Sequence, residues 1–260
     1  MTRARVAIVV LLLLGTLAAS ASWAQGTPPR ARSGFDGMSA SLQAMQRDDL
    51  QNPGMLWVAD GEALWRGPGA NGQSCSSCHG DVRRSMDSVA ARYPDWDTTE
   101  RRPMNLAQRI NTCRTRRQAS PPWAAESKEL LSLEAYVAHA ARGRSLQPST
   151  VPQLADARAL GAQLYRQRIG QLNLSCALCH DDLAGRKLGG TPIPQGHANG
   201  YPIYRLEWQS LGSLRRRIRN CMTGVRAEPF TEGSAELVAL ELYLAQRSAG
   251  LLVETPAVRP

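Results

Sequence analysis

The chain has 260 residues, 43% hydrophobic and 20% charged, which excludes a disordered, collagen-like or low-complexity protein. That length allows one large domain or two of roughly 100 residues each. The formal charge is +9, and of 31 basic residues only Lys128 and Lys187 are lysines. No interleaved basic and aromatic repeat accompanies the charge, so nucleic acid is set aside as a partner, and arginine keeps a small oxyanion open as substrate.

The chain opens with a secretory signal over residues 1–24. Arg3 and Arg5 form its positive end, Val6 to Leu14 its apolar run, and Ser22-Trp23-Ala24 a small-x-small cleavage site. The apolar run is too short to span a bilayer and nothing later approaches 18 apolar residues, so no membrane span is expected. The expected product is an exported protein of the periplasm. Residues 25–55 read as a loop-rich extension packed around the domains.

The remainder contains an internal duplication, and repeats decide architecture. Gly61-Glu-Ala-Leu-Trp65-Arg66, Cys75-Ser-Ser-Cys78-His79 and Arg109-Ile-Asn-Thr-Cys113 recur as Gly161-Ala-Gln-Leu-Tyr165-Arg166, Cys176-Ala-Leu-Cys179-His180 and Arg217-Ile-Arg-Asn-Cys221. The offset grows from Gly61/Gly161 through Cys75/Cys176 to Cys113/Cys221, so insertions fall between the landmarks and not inside them. Each copy closes on an amphipathic helix, Glu126 to Ala141 and Ser234 to Gln246, with apolar residues three and four apart. Gly143, Pro148 and Pro152 mark the boundary, giving domains at 56–147 and 148–260. Strand signals are confined to short pieces such as Tyr201 to Leu206. The expected fold is mainly α: two tandem cytochrome c-like domains related by duplication, with long irregular loops.

That expectation rests on the cysteines. C-x-x-C-H attaches c-type haem: both thiols add to the porphyrin vinyl groups and the histidine reaches the iron. Cys75 and Cys78 with His79, and Cys176 and Cys179 with His180, therefore predict two covalently bound c-type haems. A zinc site or a thioredoxin-like pair would need a different context. Porphyrins would also fill volume in a chain with only two phenylalanines. For the sixth iron position the candidates are Met104, Met222, His139, His197, Cys113 and Cys221. Cys113 and Cys221 occupy equivalent places, each four residues after an arginine, which favours iron ligation by both over a Cys113–Cys221 disulfide. A thiolate ligand lowers the reduction potential. Arg217 shares a helix face with Cys221, and the run Arg215-Arg216-Arg217-Ile218-Arg219 puts four positive charges near that sulfur.

On the haem motifs, the spaced cysteines, Gly200-Tyr-Pro-Ile-Tyr-Arg205-Leu-Glu-Trp208, the segment from Leu211 to Ala227 and the closing Glu254-Thr-Pro-Ala-Val-Arg-Pro260, the sequence resembles the dihaem SoxA subunits of the SoxAX cytochromes. The resemblance implies axial ligation by His79 and Cys113 and by His180 and Cys221. It implies that Cys221 can be carried as a persulfide and that Arg217 lies at the catalytic site. The implied activity is that of an L-cysteine S-thiosulfotransferase, which joins thiosulfate oxidatively to a cysteine of the SoxYZ carrier. Electrons leave through the monohaem SoxX partner of a heterodimer to a cytochrome acceptor. The alternatives are a dihaem electron carrier without chemistry of its own and a thiosulfate dehydrogenase that makes tetrathionate.

Overall fold

The computed structural model describes residues 30–260. The expected signal segment, 1–24, lies outside the described residues. Among these, no helix is long and apolar enough to cross a membrane.

The extension carries one helix, α1 (Ala40–Arg47), capped by the Ser39 hydroxyl accepting from Leu42 N–H. The first repeat follows as α2 (Met55–Arg66), a single turn α3 (Cys75–His79), the hairpin β1 (Asp95–Asp97) and β2 (Arg102–Met104), then α4 (Leu106–Arg117) and α5 (Lys128–Ala140). The second repeat opens on α6 (Ala155–Arg166), and its Cys176 turn widens into a π-type turn over Leu178–Asp182. A small hairpin, β3 (Lys187–Leu188) and β4 (Thr191–Pro192), precedes the hairpin β5 (Ile203–Arg205) and β6 (Ser210–Gly212). Helices α7 (Leu214–Gly224) and α8 (Ala235–Arg247) and strand β7 (Ala257–Arg259) complete the chain. The long helices match the expected mainly α, duplicated architecture, and α5 and α8 lie where the apolar period put them.

The duplication is visible in the packing. In each repeat the first and last helices cross at a glycine. A Cβ on Gly61 would sit 2.1 Å from the Ser132 carbonyl oxygen of α5, and one on Gly161 would sit 2.1 Å from the Ala239 carbonyl oxygen of α8. No side chain fits between backbones at that approach. One turn later an aromatic residue sits beside a tyrosine of the partner helix: Trp65 on Tyr136, ring centroids 6.1 Å apart, and Tyr165 on Tyr243, 5.1 Å apart. Trp65 lies in a core with Leu106, Ile110, Leu130, Leu133 and Val137; Tyr165 packs with Leu240 and Leu244.

The middle hairpins repeat as well. Residue 95 pairs with 104 and 97 with 102 in the first copy; 203 pairs with 212 and 205 with 210 in the second. Both hairpins turn through a left-handed residue, Arg101 and Gln209, and both follow a cis Tyr–Pro bond, 93–94 and 201–202. Every one of these landmarks keeps the same offset as Cys113 and Cys221. β7 joins β5 in parallel, setting Tyr204 beside Val258. The extension clasps this tail: Gln46 Oε1 accepts from Val258 N–H, and Asn52 donates to the Pro256 carbonyl.

Candidate functional site

The first C-x-x-C-H forms α3, held by a reciprocal cap between Ser74 and Ser77. Cys75 is half-buried, its thiol contacted by the Gln118 amide at 3.8 Å, while Cys78 and His79 are exposed. The ring of His79 lies 5.8 Å from that of Trp65, whose indole donates to the Gly80 carbonyl. Cys113, half-buried on α4, lies within electrostatic reach of Cys75 and Cys78. Burial pushes the Cys113 thiol up, and Arg109 and Arg117 oppose the rise. Arg109 is committed elsewhere: it forms an ion pair with the buried carboxylate of Asp97, and its Nε donates to the Tyr93 hydroxyl at 3.2 Å.

The second C-x-x-C-H, which runs into the π-type turn, is half-buried throughout and more closely held. His180 Nδ1 stands 2.8 Å from the Pro194 carbonyl oxygen. A carbonyl can only accept, so Nδ1 carries the proton and Nε2 keeps its lone pair for a metal. Gly196, in the left-handed region at φ 70°, backs the same ring; a Cβ there would stand 2.9 Å from His180 Cγ. The next residue, Asp181, accepts from the Tyr165 hydroxyl at 3.0 Å and from Arg247 at 2.6 Å, which anchors the turn to α6 and α8. Burial raises the Cys176 thiol to about 11, and the Cys221 and Cys179 sulfurs add to the rise. Cys221 is half-buried on α7, one turn after Arg217.

None of the six cysteines is in a disulfide, so the structure does not pair Cys113 with Cys221. Cys113 lies within electrostatic reach of Cys75 and Cys78, and Cys221 within reach of Cys176. Of the other candidate ligands, Met104 is fully buried on β2, with the Thr112 hydroxyl on its sulfur, and Met222 is buried in α7. His139 sits at the end of α5 near Asp49 and Arg142, and His197 lies between Gln195 and Ser248.

The arginine run of α7 does not act as one patch on Cys221. Residues 215 and 219 share one helix face: Arg215 is buried and contacts Glu232 at 2.9 Å, Glu241 at 3.1 Å and Glu134 at 3.6 Å, and the more exposed Arg219 reaches Glu232 at 3.8 Å. Arg216 stacks over the Trp208 ring, 4.2 Å from its centre. Of the run, Arg217 is the member that shares the Cys221 face, and its charge is felt by His180, Tyr201 and Arg205. The sequence pattern missed Arg205, Tyr201, Pro194 and Gly196 as parts of this site. The paired Tyr-Pro dipeptides at 93–94 and 201–202 were the signal available for the first two.

The SoxA/TsdA cytochrome c domain matches the chain at residues 60–146 and again at 160–253. The chain belongs to the SoxA/TsdA cytochrome c family. The L-cysteine S-thiosulfotransferase subunit SoxA of Pseudaminobacter salicylatoxidans is 38% identical over 229 residues, 87% of this chain and 80% of that one. The SoxA subunit of Paracoccus pantotrophus is 34% identical over 228 residues, 87% and 78% of the two chains. The crystal structure of SoxXA from P. pantotrophus superposes with a TM-score of 0.85 at 34% identity, covering 88% of this chain and 87% of that one. A SoxA/TsdA cytochrome c domain binds c-type haem covalently, and the residues here fit such a group. Thiols three apart on one helical turn, a histidine with Nε2 free, and a glycine backing its ring are the donors and the cradle it needs.

Proposed function

We propose that this chain is the SoxA subunit of a periplasmic L-cysteine S-thiosulfotransferase, with two haem domains at 56–147 and 148–260. Cys75 and Cys78, and Cys176 and Cys179, would each tether a haem, and His79 with Cys113 and His180 with Cys221 would be the residues that hold its iron. A SoxX-type monohaem cytochrome is the partner in a heterodimer, a SoxYZ-type carrier cysteine is the acceptor, and thiosulfate is the donor. The relatives' names and the SoxXA superposition support the activity and the SoxX-type partner. The observation that carries the chemistry is Cys221 within electrostatic reach of Cys176, on the face of α7 that also bears Arg217.

When bound, the haem supplies a one-electron acceptor of low potential beside the ligating sulfur. The protein's own residues do the rest. Arg217 holds the thiosulfate dianion through charge-assisted hydrogen bonds in a half-buried place, where they are stronger than in water. The Pro194 carbonyl fixes the His180 proton on Nδ1 and so fixes the ring. A sulfur–sulfur bond forms between thiosulfate and the carrier cysteine, the thiol proton leaves to solvent, and two electrons pass one at a time toward the partner subunit.

The test is reconstitution of the haem-loaded heterodimer with thiosulfate, an oxidised cytochrome and a carrier protein bearing a reactive cysteine. The expected result is carrier modified by thiosulfate, seen by mass spectrometry, and no turnover without carrier. Tetrathionate formed from thiosulfate alone would overturn the reading in favour of a thiosulfate dehydrogenase. Arg217→Ala should lower kcat/KM by about a hundredfold with both haems still bound.

A further inference from the structure

The two repeats correspond position by position across the middle hairpin and the helix after it, and at one position they carry opposite charges. Residues 95, 97, 102, 104, 109 and 113 of the first copy correspond, at one constant offset, to 203, 205, 210, 212, 217 and 221 of the second. In the first copy the β1 position that faces the helix arginine is Asp97. Its side chain is 2% exposed, one oxygen accepts from Thr99 and Glu100 N–H, and the other pairs with Arg109. The charge of Arg109 is thereby cancelled. In the second copy the same position is Arg205, 14% exposed, and no ion pair joins Arg217 to a carboxylate among the described residues. Arg205 is backed by the Trp208 ring at 5.2 Å and by Glu207, which meets its Nε at 2.9 Å from a half-exposed position at the rim. Two guanidiniums thus stand within electrostatic reach of each other where the first copy has a neutral pair, and the half-buried Tyr201 feels both of them and the Cys221 sulfur.

Placing two like charges together costs free energy that folding alone gives no reason to spend, since the first copy shows that a carboxylate fits this backbone. We propose that Arg205 and Arg217 together hold the dianionic oxygen end of thiosulfate at the Cys221 site, and that Asp97 closes the Cys113 site to the same anion. The inference rests on the proposed thiosulfate chemistry and adds to it a second binding residue and a reason for one reactive site rather than two. Substrate selection is by charge and fork geometry: a dianion's oxygens can span both guanidiniums, while Glu207 meets Arg205 only from the rim.

The experiment compares wild type, Arg205→Gln, Arg205→Lys and Arg205→Asp as haem-loaded heterodimers, each checked for haem content. Two quantities are read: KM and kcat for thiosulfate, and the inhibition constant of sulfate, a redox-inert tetrahedral dianion in which an oxygen replaces the terminal sulfur of thiosulfate. Loss of one charge-assisted contact predicts a rise of about tenfold to a hundredfold in both KM and the sulfate constant for Arg205→Gln, with kcat changed about twofold or less. Arg205→Lys should lie between it and wild type, because the charge is kept and the planar fork lost. Arg205→Asp, which copies the first repeat, should show the largest rise. Unchanged KM and sulfate constant in Arg205→Gln would overturn the proposal and leave the proposed function standing. A shifted haem absorbance with unchanged constants would overturn it too, by assigning Arg205 to a haem carboxylate. A wild-type complex that neither couples thiosulfate to the carrier nor binds sulfate would overturn both.

Discussion

At the scale of single residues, the second site is set by what surrounds His180. Its Nδ1 proton goes to the Pro194 carbonyl, and Gly196 lies against its ring with a left-handed backbone. Gly196→Ala is expected to lose about 1–2 kcal/mol from the backbone alone, since φ 70° is unfavourable for an L side chain. The added methyl also meets the ring at 2.9 Å, so the histidine must move. The expected outcome is a lower melting temperature and a perturbed low-spin signal from the second haem, with the first unaffected; equal perturbation of both would contradict this account. The two C-x-x-C-H motifs were legible as residue spacing, because covalent haem attachment requires that spacing, and Cys113 and Cys221 were legible as equivalent positions of the repeat. Pro194 and Gly196 were not. They act through a carbonyl oxygen and a missing side chain, from a loop well past the motif, and neither leaves a periodic trace.

At the scale of elements, each repeat depends on a helix crossing too close for a side chain. Gly61→Ala and Gly161→Ala place a methyl 2.1 Å from a backbone carbonyl, which cannot rotate away. Each is expected to cost about 3 kcal/mol or more, or to prevent folding, as overpacking against backbone does. Gly37→Ala, in open space, should be nearly neutral in thermal unfolding. A melting temperature for Gly161→Ala equal to that of Gly37→Ala would show that the crossing relaxes. The repeat itself was readable because Gly61-x-x-x-Trp65 and Gly161-x-x-x-Tyr165 recur with the haem motifs. The orientation of the α7 arginines was only half readable. Helical period puts 215 and 219 on one face and 217 and 221 on another. The partners of Arg215, however, come from Glu134 in the other repeat and Glu241 on the next helix, and period says nothing of them. Sequence proximity to Cys221 therefore overstated the charge at the sulfur. The same helical period put Arg217 on the Cys221 face, and the helix from Leu214 to Gly224 keeps it there.

At the scale of the molecule, the repeats meet around one buried charge cluster. Glu134 of α5 and Glu241 of α8 occupy equivalent positions in the two closing helices, and both turn to Arg215; Asn105 donates to Glu241 at 2.7 Å across the same junction. Carboxylates there outnumber the single fully buried guanidinium, and burial raises Glu134 to about 7. The folded protein thus keeps a proton that the unfolded chain releases above about pH 4.3. The stabilisation is present below that pH and is lost as pH rises toward 7, by on the order of 3 kcal/mol. Glu134→Gln should remove this slope: its melting temperature should fall less than wild type between pH 5 and pH 8, and parallel curves would exclude Glu134 as the proton holder. The junction was invisible in the sequence, because a glutamate in an apolar helix stripe reads as a solvated edge until its partner from another domain is known. The broader architecture was legible, since duplication, helix period and haem motifs agree with one another. The central claim is that in each repeat the C-x-x-C-H histidine and a cysteine sulfur, Cys113 or Cys221, would both ligate the haem iron. Electron paramagnetic resonance of the oxidised, haem-loaded protein tests it most directly. Two low-spin ferric thiolate species are predicted, with Cys113→Met abolishing one and Cys221→Met the other; histidine–methionine or bis-histidine signals in the wild type would contradict it.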